Sequence, residues 1–599
     1  MTAFAAVVHK RADPPAIAAV AEALGSVTGS TPSSLVLGRC ALVVAPLHRT
    51  DAAVPVSSAS GVTVVGSIVL EDSGDLAAAL GEPAAAVAPV LIGAAYDRWR
   101  ERCTDHLSGE YAFALWDPRD EVLVCARDGL GIRLLYVAES PEAIIVTNVL
   151  AAALRHPSIA EDVDEVAMVA FLAYGGAADE TRTCFRQVKV MPPGHTARVQ
   201  VNGRSQSTLH RHWRLPLSDG RRRSPDEILE EYRSLLAGAV RDRLDPGGTS
   251  IFLSGGIDST TMAAAATEVS PAGTLHAVTT RYTRYIEDVE LPYTRAAAGH
   301  LGLPLTVLDA DAHEPWRVDP ADPPLTAPLD EPMLADWRDT LAAAARHGTV
   351  SLYGEDGDAL LRPPGWQGLR KTGSIAAIGF AALGYALSTR RRPYVGLRWR
   401  ERVGMARPPG RLLPDWLTAG ARARLDRIEG ESVLGQAPDP LPPHPTRREA
   451  QSVLTSTTIS RNFAATIAPE TTRRRVELRF PLLDTRLIRL VVSVPAIPWC
   501  QHKTLPRRAY RGRLPAAVLK RPKTPLSGFN EAFVAEWRRR NGGRLTTPAS
   551  PIDQWVDLRK WVGAIETGEP EAVMAAWRAS VLDSWMATRP HGTERACTR

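Results

Sequence analysis

The chain has 599 residues, 45% of them hydrophobic and 23% charged, and a formal net charge of +5. That length points to two or more domains, and the composition is that of a globular protein rather than a disordered or fibrous one. The small net charge, spread over 71 basic and 66 acidic residues, leaves no nucleic-acid footprint.

Residues 1 to about 210 read as β-rich. Short apolar or alternating runs recur ("AFAAVVHK", "CALVVAP", "GVTVVGSIVL", "YAFALWD", "EVLVCARD", "IIVTN", "HTARVQV"), separated by turn residues. Helical patterns interrupt near Ala84–Arg100 and Glu165–Ala173. An α+β layer structure with antiparallel sheets follows. The start, Met-Thr-Ala-Phe, has no charged and apolar signal pattern. Six scattered cysteines (Cys40, Cys103, Cys125, Cys184, Cys500, Cys597) form no Cys-x-x-Cys pair, so neither zinc nor a disulfide framework is indicated and a cytoplasmic location is expected.

Ser218–Pro225 reads as a basic linker. "SPDEILEEYRSLLAGAVRDRL" then opens a helix, with Ser224 as N-cap and Pro225 in the first turn. Strand Ser250–Leu253, helix Ser259–Glu268, strand Thr274–Thr279, helix Leu291–Leu301 and strand Leu305–Leu308 alternate, which predicts a parallel sheet covered on both faces. A Pro- and Arg-rich stretch, 363–445, interrupts the second half, and a mostly helical tail follows. Within the stretch, Ser374–Ser388 ("SIAAIGFAALGYALS") is apolar with basic flanks. It is short of the roughly 20 residues a membrane span needs. A buried helix is expected there, with a membrane-surface contact as the alternative.

The chemistry begins at "SIFLSGGIDSTTMAA", Ser250–Ala264. A parallel strand runs into a helix through Ser-Gly-Gly, and free backbone N–H groups at such a junction bind phosphate. Glycine permits positive φ and close approach of an anion. Ser254, Gly255, Gly256 and Ser259 are therefore expected to cradle phosphate oxygens. A carboxylate cannot bind phosphate directly, so Asp258 implies a bridging magnesium ion.

This stretch resembles the pyrophosphate loop of N-type ATP pyrophosphatases. "YGEDGDALL" (Tyr353–Leu361), "VELRFPLLDTRLIRLVVSVP" (Val476–Pro495), "HKTLPRRAYRGRLPAAVLKRPKTPLSGF" (His502–Phe529) and "LDEP" (Leu329–Pro332) resemble blocks of the asparagine synthetase B-like superfamily, although Asp356 stands where a glycine is usual. "LSGEYAFALWD", "ARDGLGIRLLYV" and "MPPGH" resemble that group's glutaminase domain. The resemblance implies an N-terminal Ntn-hydrolase (glutaminase-like) α+β sandwich over 1–215. It implies an α/β PP-loop ATP pyrophosphatase domain with a helical C-terminal part over 216–599, with a variable insertion at about 363–445. It also implies ATP and Mg2+ as cofactors, with metal on Asp258 and Asp358 and Lys523 on the pyrophosphate. Leu253, Val278 and Gly354 join the loop residues as ATP contacts. Glu355 accepts or positions a proton, and Glu477 and Arg479 form a structural ion pair.

Position 2 is Thr2, where the glutamine-dependent group needs a cysteine nucleophile. The group's glutamine-binding segments are also not recognisable. A glutaminase fold without glutaminase activity is expected, so another nucleophile must attack the acyl-adenylate. Two branches of the group work this way. The long basic and aromatic insertion, including "RLLPDWLTAGARARL" (Arg411–Leu425), resembles that of lasso peptide cyclases, in which a core peptide's α-amine attacks an adenylated Asp or Glu side chain to give a macrolactam. Glu355, where the β-lactam synthetase branch has tyrosine, points the same way. Trp366, Tyr394, Trp399 and Trp416 are candidate peptide contacts. The implied partners are the precursor peptide, a leader peptidase and a leader-recognition protein, without nucleic acid or a membrane span. A β-lactam synthetase-like enzyme and an ammonia-dependent asparagine synthetase are the alternatives.

Overall fold

The strand Ala3–His9 shows why the first domain forms. Phe4, Ala6 and Val8 fall in one core cluster, and Ala3, Ala5 and Val7 in another. Successive side chains of a strand point to opposite faces, so a strand apolar at every position must be covered on both. Here it sits in a six-stranded antiparallel sheet, in the order Val188–Val190, Tyr136–Glu139, Ala143–Thr147, Ala3–His9, Cys40–Ala45, Ser33–Leu37. A second antiparallel sheet of six strands packs against it through Ala114, Trp116 and Leu123. Helices Ala18–Thr28 and Glu165–Tyr174 cover the outside of the first sheet, and Ala88–Trp99 the outside of the second. The result is the expected α+β sandwich. The structure, a computed structural model, describes residues 2–589 apart from 12, 14, 48–53, 177–178, 180, 202–205, 272, 284–287, 314–323, 356, 394–412, 427–431, 456–467, 523–534, 536–551 and 568–569.

The second domain opens with helix Pro225–Arg241, whose Ser224 and Glu227 form a full capping box. Its sheet is five-stranded and parallel, in the order Leu305–Asp309, Leu275–Arg281, Thr249–Phe252, Val350–Leu352, Glu477–Arg479. The chain builds outward from Thr249–Phe252 on one side and then crosses to start again at Val350–Leu352. That reversal leaves a crevice beyond the C-terminal ends of these two strands, where open α/β sheets bind ligands. The C-terminal helix Pro570–Ala587 returns to the first domain and packs on helix Glu165–Tyr174.

Charge joins the two domains. The Arg243 guanidinium donates to Glu110 (2.7 Å), Glu71 (2.9 Å) and Asp484 (2.8 Å). Arg133 bridges Glu110 (3.1 Å) and Glu477 (2.5 Å), and Glu477 also holds Arg479 at 3.2 Å. The expected Glu477–Arg479 pair is therefore real and is one edge of a buried network.

Two expectations fail in the insertion. The apolar segment forms helix Ile375–Thr389, but only Ile378 and Tyr385 are buried. Composition reports apolar content and not which face meets the core. Trp416 is 2% exposed and belongs to the core cluster under the first sheet, so it contacts no peptide. Trp366 is half-buried against the core of the parallel sheet, while Tyr394 and Trp399 lie outside the described residues. Among the described residues, no single helix is long and apolar enough to cross a membrane.

Candidate active site

The phosphate loop is set by two backbone constraints. Strand Thr249–Phe252 ends with Leu253 N–H donating to the Val278 carbonyl at 2.9 Å. Gly255 then takes φ +64°, and a Cβ there would lie 2.7 Å from Thr294 N and 3.0 Å from Glu290 O. Only glycine lets the turn press against the start of helix Leu291–Leu301. Helix Ile257–Val269 follows with Gly256 as its N-cap, so the positive end of its dipole faces the crevice. The Ser254 and Ser259 hydroxyls meet at 3.0 Å beside it.

The second loop, Tyr353–Asp358, leaves strand Val350–Leu352 and lies directly on the first. A Cβ on Gly354 would come within 3.1 Å of Ser259 Cα, and one on Gly357 within 2.8 Å of Asp258 Cγ. This approach brings Asp258 and Asp358 face to face. Both accept from Lys503 Nζ, at 2.6 and 2.7 Å. Burial would lower the Lys503 pKa, but the two carboxylates outweigh it and the net direction is up. His502 and Lys503 both have positive φ (45° and 56°), a conformation that costs non-glycine residues energy and that clusters at functional sites.

A cavity of about 460 Å3 opens over these loops. Leu253, Ser254, Gly256, Asp258, Ser259, Val278, Gly354, Glu355 and Asp358 all line it, which brings nine of the expected residues together. Gly255 is not among the lining residues and packs against Thr294 as just described. Lys523 and Asp356 lie outside the described residues. Three cations not singled out from the sequence complete the site: Lys503, Arg507 and Arg521. Lys503 and Arg507 stand four apart, a helix-face spacing that could have marked them. Arg521 is 7% exposed and pairs with Glu290 at 2.7 Å, and its Nη1 is buried without a partner. Such an atom suits an anionic oxygen.

The carboxylates fit magnesium. Asp258 and Asp358 converge on one point, where the Lys503 ammonium stands in for a cation. Among the described residues no cluster of three or more His, Cys, Asp or Glu could hold a metal. Magnesium usually takes one or two carboxylates and completes its shell with phosphate and water, so a two-carboxylate site beside a phosphate loop suits a nucleotide-bound ion.

A second cavity, about 420 Å3, adjoins the first and shares Thr280, Tyr282, Trp337, Thr340, Tyr353 and Glu355 with it. Four acids line it, Asp330, Glu331, Asp336 and Glu355, and no basic residue does among those described. Asp330 is neutralised by Arg578 at 2.8 Å. Asp336 is 5% exposed, and its Oδ2 has no partner. Burial pushes its pKa up to about 6. At the shared wall, burial and a hydrogen bond with the Glu355 carboxylate push the Tyr353 phenol up. The "LDEP" segment thus belongs to this second cavity.

Thiol chemistry finds no place here. Cys40, Cys103, Cys125, Cys184 and Cys500 are all buried, and burial pushes Cys103 and Cys125 up to about 12, far from a thiolate at neutral pH. The residue before the first strand is Thr2, 6% exposed, with its carbonyl accepting from Asn148 Nδ2 at 2.8 Å.

A family model described as asparagine synthase matches residues 231–587, and a glutamine amidotransferase domain model matches 88–213. Asparagine synthetase [glutamine-hydrolyzing] 3 of Bacillus subtilis is 30% identical over 172 residues, 28% of this chain and 27% of that protein. Amidase chry2 of Gibberella zeae is 31% identical over 188 residues, 31% of this chain and 27% of that protein. A putative asparagine synthetase [glutamine-hydrolyzing] of Mycobacterium tuberculosis is 26% identical over 478 residues, 72% of this chain and 69% of that protein. The chain thus spans about a quarter of the length of the first two of these relatives.

Proposed function

The chain belongs to the asparagine synthase family, whose members are ATP-dependent amide-forming ligases, and from that premise we propose that it is an AMP-forming ligase that closes a peptide macrolactam, as lasso peptide cyclases do. One observation carries the reading. A cavity built for phosphate and a cavity walled by acids meet at Tyr353 and Glu355. The first suits ATP, the second suits an amine, and the wall between them is where an acyl-adenylate would meet its nucleophile.

The nucleotide phosphates lie against the start of helix Ile257–Val269, with Ser254 and Ser259 donating to them. Magnesium, held by Asp258 and Asp358, would neutralise phosphate charge. Lys503 and Arg521, which line the same cavity, offset charge on the departing pyrophosphate, and Lys523 is assigned the same role. An Asp or Glu side-chain carboxylate of the peptide attacks the α-phosphorus, and pyrophosphate leaves. The peptide α-amine enters the acid-walled cavity as an ammonium and passes its proton to Glu355. It then attacks the acyl carbon, AMP leaves with the bonding electrons, and the nitrogen's second proton goes to the departing AMP phosphate. Holding amine and acyl group together removes roughly 7–11 kcal/mol of barrier in well-oriented cases.

The test uses the purified protein, ATP, magnesium and a leaderless core peptide. The expected product is lighter by one water, with AMP and pyrophosphate. Acetylating the α-amine should block closure while ATP–pyrophosphate exchange continues. Replacing the acceptor Asp or Glu by Asn or Gln should stop the exchange too. Release of ADP, loss of water from the acetylated peptide, or efficient asparagine formation from aspartate and ammonium would overturn the reading, the last in favour of an ammonia-dependent asparagine synthetase.

A further inference from the structure

The helix Ile375–Thr389 is apolar on the side that faces the protein and on the side that does not. Its fifteen residues carry no charge. At 100° per residue, Ile378 and Tyr385 fall within about 20° of each other on the inner side. Phe380, Leu383 and Leu387 fall within about 60° on the opposite side, and these are 76%, 56% and 73% exposed, with Ile375 at the helix start 59% exposed. A surface helix ordinarily turns charge outward. A run of large exposed side chains marks a surface that something covers.

Charge identifies what covers it. Arg370 and Lys371 precede the helix, Arg390, Arg391 and Arg392 follow it, and all five are exposed. Between Ala359 and Pro414 the sequence has eleven Lys and Arg against a single acid, Glu401. The outward side is a convex ridge with no charged group along it and cations at both ends. A protein interface sets its apolar core inside a polar rim and carries about one hydrogen bond per 100–200 Å2. A continuous apolar face with basic flanks is the pattern of a helix lying in a bilayer interface, where the cations meet anionic headgroups. Fifteen residues rise about 22 Å, short of the roughly 30 Å hydrocarbon core. The preceding helix, Trp366–Thr372, is bent 108° away.

We propose that the outward face of helix Ile375–Thr389, with its basic flanks, docks the protein on an anionic membrane surface. The docked side lies close to the nucleotide site. Tyr385, on the inner side, stacks on His502 with ring centroids 6.4 Å apart and planes 13° from parallel, and His502 precedes the site residue Lys503. The surface therefore holds the nucleotide cavity near the lipid.

Vesicle flotation of the full-length protein tests this without reference to catalysis. The protein should float with phosphatidylcholine vesicles containing phosphatidylglycerol and much less with phosphatidylcholine alone. Phe380→Ser with Leu387→Ser should lower the partition coefficient at least tenfold. Replacing Arg390, Arg391 and Arg392 by Gln should remove most of its salt sensitivity. Both variants should keep wild-type circular dichroism and ATP–pyrophosphate exchange. No flotation, or flotation unaffected by either variant, overturns the proposal. So does a dimer in sedimentation velocity that the serine variant dissolves in the absence of lipid binding, because the face would then join copies of the chain.

Discussion

Two clusters of charge meet the second domain, one at its seam with the first and one at its crevice, and they are built on opposite principles. At the domain seam, all three guanidinium nitrogens of Arg243 are engaged, by Glu71, Glu110, Asp484 and the Ala239 carbonyl, and none of these side chains is more than 1% exposed. At the crevice, Asp258 and Asp358 share one lysine, Asp358 is 45% exposed, and Asp336 and Arg521 keep buried polar atoms without partners. The family's blocks reach both places, since Glu477 and Asp484 belong to the seam, and Asp258 and Asp358 to the crevice. Satisfaction separates Arg243 from Asp336 and Arg521; Arg133 Nε, also unpartnered, is shut in the seam and lines neither cavity. A buried charge whose partners are complete holds structure, whereas one left short awaits a partner that arrives with the substrate.

The sharpest way to break this contrast is at the crevice. Asp258→Ala, Asp358→Ala and Lys503→Ala should each lower ATP–pyrophosphate exchange by about a ten-thousandfold, equivalent to roughly 5 kcal/mol of barrier. Circular dichroism and the urea midpoint should barely move. Near-wild-type exchange in any one of the three removes that residue from the site.

The seam should answer in the other currency. Arg243→Met leaves Glu71, Glu110 and Asp484 buried without their cation, which costs about 3–5 kcal/mol of stability. Urea unfolding measures it. If the variant does not accumulate, the milder Glu71→Gln still reports, since it removes one carboxylate and leaves Arg243 its other two. A loss below about 1 kcal/mol for Arg243→Met would make the seam no different from a surface salt bridge.

Much of this was legible in the chain. The apolar run "AFAAVV" marked a strand of an α+β layer structure, and Ser224 and Pro225 marked a helix start that the structure reproduces. The loop Ser254–Ser259 and the block at Gly354–Asp358 were found because each is contiguous. A positive φ at Gly255 can serve a ligand or a neighbouring helix alike, and the 2.7 Å approach to Thr294 N is visible only in three dimensions. Lys503 is indistinct in a segment crowded with cations, for its worth comes from Asp258 and Asp358, some 245 and 145 positions earlier. Asp336 carries no motif at all; its meaning is an orphaned oxygen inside a cavity. The exposure of Phe380 and Leu387 was equally hidden, since an apolar run has the same composition inside a core and outside it.

The smallest expected effect is also the one that best separates the two clusters. Burial raises the Asp336 pKa in the folded protein from 3.8 to about 6. Between these values the folded state binds more protons than the unfolded one, so stability present at acid pH is lost as pH rises through about 6. Asp336→Asn removes that titration and can keep an oxygen to accept from His313 N, as Oδ1 does now at 3.2 Å. The variant should therefore gain up to about 3 kcal/mol over the parent near pH 8 and almost nothing near pH 4. The KM for the core peptide in ring closure should rise about tenfold, the worth of roughly 1.4 kcal/mol of lost cation binding, while ATP–pyrophosphate exchange at saturating peptide stays unchanged. Urea midpoints at the two pH values and a KM series settle it. Stability gained and affinity lost in one substitution is the signature of a carboxylate held for a ligand at the fold's expense. A variant less stable near pH 8 would instead place Asp336 with Arg243, among the charges that hold the protein together.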